Sequence, residues 1–121
     1  MATVRYLVND VEESVGFYTG LLGFEVKKNF APAMAILEKD ELVLWVAGPV
    51  ASAAESMPDG SKPVPGGGNR FVVVVEDLGA TVAELTEKGA KFRNEIVSNQ
   101  GRQQILLEDP SGNVVELFQW G

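Results

Sequence analysis

The chain has 121 residues and a formal charge of −7, a length that suggests one domain able to bury a core without staples. It contains no cysteine and no histidine, which excludes disulfides and thiolate metal sites and removes the commonest metal ligand and the usual general base near neutral pH. The acidity, spread over both halves, argues against a nucleic-acid partner; the lack of a long apolar run or a signal-peptide pattern argues against a membrane and makes the cytoplasm the default location.

Residues 3–8 alternate Val4, Tyr6 and Val8 with Thr3, Arg5 and Leu7, the period of a strand. Asp10 then caps a helix, with Glu13 three residues on to complete a capping box. Val11, Val15, Tyr18 and Leu22 form its apolar stripe, Phe17 and Leu21 lie beside it, and Gly23 suits a left-handed C-terminal cap. Strands are predicted over about 24–30, 34–38 and 41–47, the last two joined by a tight turn at Lys39-Asp40. The stretch 48–69 is rich in Gly, Pro, Ala and Ser and ends in Pro63-Val64-Pro65-Gly66-Gly67-Gly68. So long a connection is either a functional loop or a disordered linker; a lid would dock Met57 or Pro58 on a sheet.

From Arg70 the order repeats. Residues 70–76 read as a strand, Asp77 caps a helix carrying Leu78, Val82 and Leu85, and Gly89 ends it. Strands follow over 92–98, 103–108 and 114–119, the last pair joined by the turn chemistry of Asp109-Pro110-Ser111-Gly112. Asp10 corresponds to Asp77, Val11 to Leu78, Val15 to Val82 and Tyr18 to Leu85. The chain is thus a tandem pair of β-α-β-β-β units in an α+β fold: unit one 1–47, a linker loop 48–69, and unit two 70–121 within a single domain. In the last strand Val114, Glu116 and Phe118 share one face. A carboxylate on so apolar a face requires a partner.

Two motifs and the duplication together resemble the vicinal oxygen chelate superfamily, which groups glyoxalase I, extradiol dioxygenases and bleomycin-resistance proteins. The matching residues are Asn9-Asp10-Val11-Glu12-Glu13-Ser14-Val15-Gly16-Phe17-Tyr18 with Leu22-Gly23-Phe24, and Asp109-Pro110-Ser111-Gly112-Asn113 with Val115-Glu116-Leu117. Met57-Pro58-Asp59-Gly60 and Pro65-Gly66-Gly67-Gly68-Asn69-Arg70 are similar to the linker of a bacterial subgroup. The resemblance implies a cup of two curved sheets with helices outside, a homodimer, and a small-molecule ligand. It also implies that metal-dependent relatives take ligands from the first and last strands of each unit, usually His or Gln and Glu. Those positions here are Thr3, Arg70, Glu116 and either Leu44 or Leu42. One carboxylate and a permanently charged guanidinium do not make a divalent-metal site, so neither a metal nor another cofactor is expected.

The candidate ligand-binding residues are Arg70, Glu116, Arg5, Thr3, Leu44, Val72 and Phe118. Arg70 would hold an anionic or carbonyl group and Glu116 would accept from a ligand donor; alternatively the two form an internal ion pair in place of a metal site. Arg5 either points into the cup or reaches solvent at the rim. Leu42, Leu44 and Val46 are expected on the cup walls, and Trp45, on the opposite parity, on the helix side. The expected function is a metal-independent small-molecule binding protein of the drug-sequestering kind. The alternatives are an enzyme of the same superfamily, using a metal with atypical ligands or Glu116 as a metal-free acid/base, and an interaction module without a ligand.

Overall fold

Helix starts at two matching aspartates set the architecture. In the computed structural model, which describes residues 2–121, the Asp10 carboxylate accepts from the Glu13 N–H at 3.1 Å and the Asp77 carboxylate from the Ala80 N–H at 3.0 Å. Each satisfies a backbone donor that the helix itself leaves unpaired. The helices they open are α1 (Val11–Leu22) and α2 (Leu78–Glu87). Gly23, at φ 73°, and Gly89, at φ 84°, take the left-handed conformation just beyond each helix, where a side chain would be strained.

The chain divides into two compact units, one of Met1–Gly66 with Pro110–Asn113, the other of Gly67–Asp109 with Val114–Gly121. The first holds a four-stranded sheet in the order β1 (Ala2–Leu7), β4 (Leu42–Ala47), β3 (Met34–Lys39), β2 (Glu25–Phe30). Strands β1 and β4 run parallel, and the other pairs antiparallel. One face of this sheet carries Tyr6, Ala35, Leu37, Leu44 and Val46, all buried, and α1 covers it. Tyr18 is the hub of that core: it is fully buried, with Phe17 and Phe24 edge-on to its ring at 4.9 and 5.4 Å. The helix buries Val11, Ser14, Tyr18 and Leu22. Ser14 therefore takes the place in the stripe predicted for Val15, which is only half-buried.

The second unit repeats the plan with a modified edge. Its central strands are β5 (Arg70–Val74), β9 (Val114–Trp120) and β8 (Arg102–Glu108), with β5 parallel to β9. Instead of one strand over 92–98 there are two short pieces, β6 (Lys91–Phe92) and β7 (Val97–Asn99), both paired to β8. Asn94 causes the break: its side-chain oxygen accepts from the Leu106 N–H at 2.9 Å, while the Arg93 N–H reaches the Leu106 carbonyl at 2.9 Å. A side chain that substitutes for the backbone in this way interrupts the ladder. On the helix side lie Val115, Leu117, Ile105 and Leu107, all buried against Leu78 and Leu85 of α2. Gln119 belongs to that face too, and its side-chain oxygen accepts from the Leu78 N–H at 2.6 Å.

The turn 110–113 is bound into the first unit. Asn113 is buried, its amide nitrogen donating to the Leu7 carbonyl at 2.7 Å and its oxygen accepting from the Gly66 N–H at 2.7 Å. The Ser111 hydroxyl accepts from the Asn9 N–H at 2.8 Å. One amide thus ties the end of β1 to the end of the long loop. Within that loop, Ala54 is buried whereas Met57 and Pro58 are exposed. Met57-Pro58-Asp59-Gly60 closes on itself, with the Met57 N–H bonded to the Ser61 carbonyl and Asp59 accepting from both the Ser61 N–H and hydroxyl. Those Ser61 bonds also hold the Asp59 carboxyl below its usual range. Met57 and Pro58, which a lid would dock on a sheet, are exposed.

Candidate functional site

Strand alternation and register decide which side chains meet on the face of each sheet away from its helix. In the second unit Arg70 stands beside Val114, Val72 beside Glu116 and Val74 beside Phe118. Residues in register share a face, so Arg70, Val72, Glu116 and Phe118 all lie on the open side, as their sequence parity predicts. Glu116 is buried, and its carboxylate accepts from Arg70 Nε at 2.9 Å. The two side chains differ in exposure: 36% for Arg70 and 11% for Glu116. Buried carboxylate and half-open guanidinium form a polar floor between Val72 and Phe118. A guanidinium carries five N–H donors, and the Nε bond to Glu116 uses one of them.

The first unit departs from expectation by one residue. Thr3 pairs with Val43 and Arg5 with Trp45, while Leu44 pairs with Val4. The turn between β3 and β4 is Asp40-Glu41 rather than Lys39-Asp40, with Asp40 at φ 52°, and it sets Leu37 opposite Leu44. Both leucines are fully buried. Leu44 therefore faces α1 with Val46 and does not share a face with Thr3 and Arg5. Its assignment as a ligand-facing residue is corrected, and so is the placement of Trp45 on the helix side. Thr3 and Arg5 are exposed, and the Arg5 guanidinium lies 5.0 Å from the centre of the Trp45 ring, within cation–π range.

A pair of equivalent hydrogen bonds gives the correspondence between units directly. The Val8 N–H donates to the Ala47 carbonyl at 2.9 Å and the Val75 N–H to the Phe118 carbonyl at 2.8 Å. Ala47 thus matches Phe118, and two residues earlier Trp45 matches Glu116. Where the second unit sets an arginine on a carboxylate, the first sets an arginine on an aromatic ring. Sequence reasoning missed Trp45 because the loops between the later strands leave the alignment of the last strands open; the strand register was the missing information.

The residues present do not fit a divalent metal of the family kind. Among the described residues no three His, Cys, Asp or Glu side chains lie together. At the position equivalent to Glu116 stands an indole, and Glu116 itself is engaged by a cation.

Glu108 is a second arginine-bound carboxylate of the second unit. It accepts from Arg93 Nε at 2.9 Å and lies 3.2 Å from Lys91 Nζ. The Arg93 bond, then that of Lys91, holds its carboxyl below the usual range. On the open face beyond Phe118, a cavity of about 240 Å³ is lined by Val97, Asn99, Arg102, Gln104 and Phe118. A larger one of about 350 Å³ lies in the first unit at the start of α1, beside Pro32 and Pro49, and contains none of the predicted site residues.

A family model described as Glyoxalase/Bleomycin resistance protein/Dioxygenase superfamily matches residues 1–117. Among solved structures, the chain resembles a lactoylglutathione lyase from Agrobacterium tumefaciens at 15% identity, covering 98% of this chain and 92% of that one with a TM-score of 0.79. A virulence protein from Salmonella typhimurium aligns at 19% identity over 100% of this chain and 96% of that one, TM-score 0.79. A superfamily member from Sphaerobacter thermophilus aligns at 22% identity over 98% and 95%, TM-score 0.76. No curated protein matches the chain. These likenesses support the α+β fold of repeated β-α-β-β-β units. No described helix is long and apolar enough to cross a membrane.

Proposed function

Because the chain belongs to the glyoxalase/bleomycin resistance protein/dioxygenase superfamily, we propose that it is a small-molecule binding protein that works without a catalytic metal. The observation that carries this reading is the Arg70–Glu116 pair, with Arg70 Nε 2.9 Å from the carboxylate and the Arg70 side chain one-third exposed. A ligand carbonyl or anionic group would bind the outward donors of Arg70. Val72 and Phe118 would flank it with the apolar surface that small-molecule sites generally present. Glu116 fixes the guanidinium in place, so little side-chain entropy is lost on binding. We further propose that the protein works as a homodimer; light scattering at monomer mass across dilution would refute this.

Native mass spectrometry of protein purified from its own host, together with elemental analysis, tests the reading. The expected result is a co-purifying organic ligand, lost in Arg70→Met, with no stoichiometric transition metal. A stoichiometric metal that disappears on Glu116→Ala would overturn it in favour of a metal enzyme. Turnover of a bound compound that stops on Glu116→Gln while binding persists would replace it with metal-free acid/base catalysis.

A further inference from the structure

The strip of sheet beyond the Arg70–Glu116 pair brings together aromatic rings, amides and a cation. In the outermost rows of the open face Phe118 stands beside Gln104, which pairs with Val97, and Trp120 stands beside Arg102, which pairs with Asn99. Of these residues, Val97, Asn99, Arg102, Gln104 and Phe118 line the 240 Å³ cavity, and Trp120 adjoins it through Phe118. Phe118 and Trp120 meet edge-to-face at 4.7 Å and 72°, an aromatic wall. Trp120 is 68% exposed and Val97 47% exposed, so apolar surface is open at and beside the cavity.

Arg102 is the cation of this strip, and its situation differs from that of Arg70 and Arg93, both bonded to carboxylates. Among the described residues Arg102 has no carboxylate partner; its guanidinium donates only to the neutral Gln100 side chain, at 3.3 Å. Glu116 lies four residues back from the Trp120 row, about 13 Å along the strand. That exceeds the screening length of about 8 Å at physiological salt, so the carboxylate does not neutralise Arg102. Asn99 and Gln104 add amides that both donate and accept. In a chain of net charge −7, a cation left without a carboxylate beside an open aromatic wall is suited to an anion from outside.

We propose that this cavity binds a small planar aromatic carboxylate, its ring against Phe118 and Trp120 and its carboxylate on Arg102, with Asn99 and Gln104 at the rim. The volume falls below the roughly 300–1,000 Å³ of sites for drug-sized ligands, so the ligand has one ring or two fused rings. The inference rests on the reading of this sheet face as ligand-binding and extends it to a position and a ligand class.

The probe is 2-naphthoate, compared with its neutral isostere 2-naphthamide and with acetate, followed by NMR on the full chain. The expected result is a saturable shift of the Trp120 indole N–H and of backbone amides 97–104, with the Trp45 indole unmoved. The amide should bind about tenfold or more weakly, since it loses a charge-assisted hydrogen bond, and acetate should produce no saturable shift. Arg102→Met should weaken 2-naphthoate by about tenfold or more, and Arg102→Lys should recover part of the loss. Equal binding of acid and amide to the unaltered protein, or no saturable shift, would overturn the proposal without any variant. Loss of 2-naphthoate binding in Arg70→Met but not in Arg102→Met would also overturn it, while leaving the Arg70–Glu116 reading of the face intact.

Discussion

Arg70→Met is the perturbation on which the account of the open face depends most. It removes the cation bonded to Glu116, whose side chain retains only 11% exposure. Breaking a fully buried ion pair costs about 3–5 kcal/mol, and breaking an exposed one about 0.2–1 kcal/mol. Arg70 itself is 36% exposed and contributes a single hydrogen bond of 2.9 Å through Nε, so water can partly replace it. The expected loss is therefore about 2 kcal/mol, in the range of a hydrogen bond to a charged group. With a urea m-value of about 2 kcal/mol/M, that moves the unfolding midpoint by about 1 M. Arg70→Met combined with Glu116→Gln should be more stable than Arg70→Met alone, because the neutral amide has no stranded charge. A double-mutant cycle in urea at neutral pH measures this coupling. If Arg70→Met falls within about 0.5 kcal/mol of the unaltered protein, the scale of an ordinary surface change, Glu116 is solvated without Arg70 and the argument for a pinned guanidinium fails.

Leu44→Ala should cost about 2–5 kcal/mol, because Leu44 is fully buried under α1; 2-naphthoate affinity should not change, and calorimetric unfolding with a binding titration checks both. Asn113→Ala should cost about 1–3 kcal/mol, since it strips partners from the Leu7 carbonyl and the Gly66 N–H. Hydrogen exchange should then show the Gly66 amide losing protection first. Glu108→Gln should weaken the acid dependence of stability. The Glu108 carboxyl is lowered in the fold by Arg93 and Lys91, so its contribution is present above the unfolded pKa and lost as pH falls through the folded one. Urea midpoints measured across the acid range should converge for the two proteins at the lowest pH, and parallel curves would show that Glu108 contributes nothing.

Local chemistry wrote much of this fold into the sequence. Asp10 and Asp77 announce helix starts because a carboxylate accepts from the N–H three residues on, and Gly23 and Gly89 announce helix ends because the left-handed conformation penalises a side chain. Period-two alternation placed Arg70, Val72, Glu116 and Phe118 on one face, since parity within a strand is a local property. Parity between strands is not. Whether Leu44 or Trp45 lies beside the first strand depends on hydrogen-bond register, and a shift of one residue exchanges the two faces of a strand. Asp40-Glu41 and the β1–β4 ladder settle that question, burying Leu44 and leaving Trp45 under Arg5. The break at Asn94 and the tie of Asn113 to Leu7 and Gly66 were equally illegible. Each rests on a side chain finding a backbone partner 12, 47 or 106 residues away, and only the folded chain brings those partners within reach.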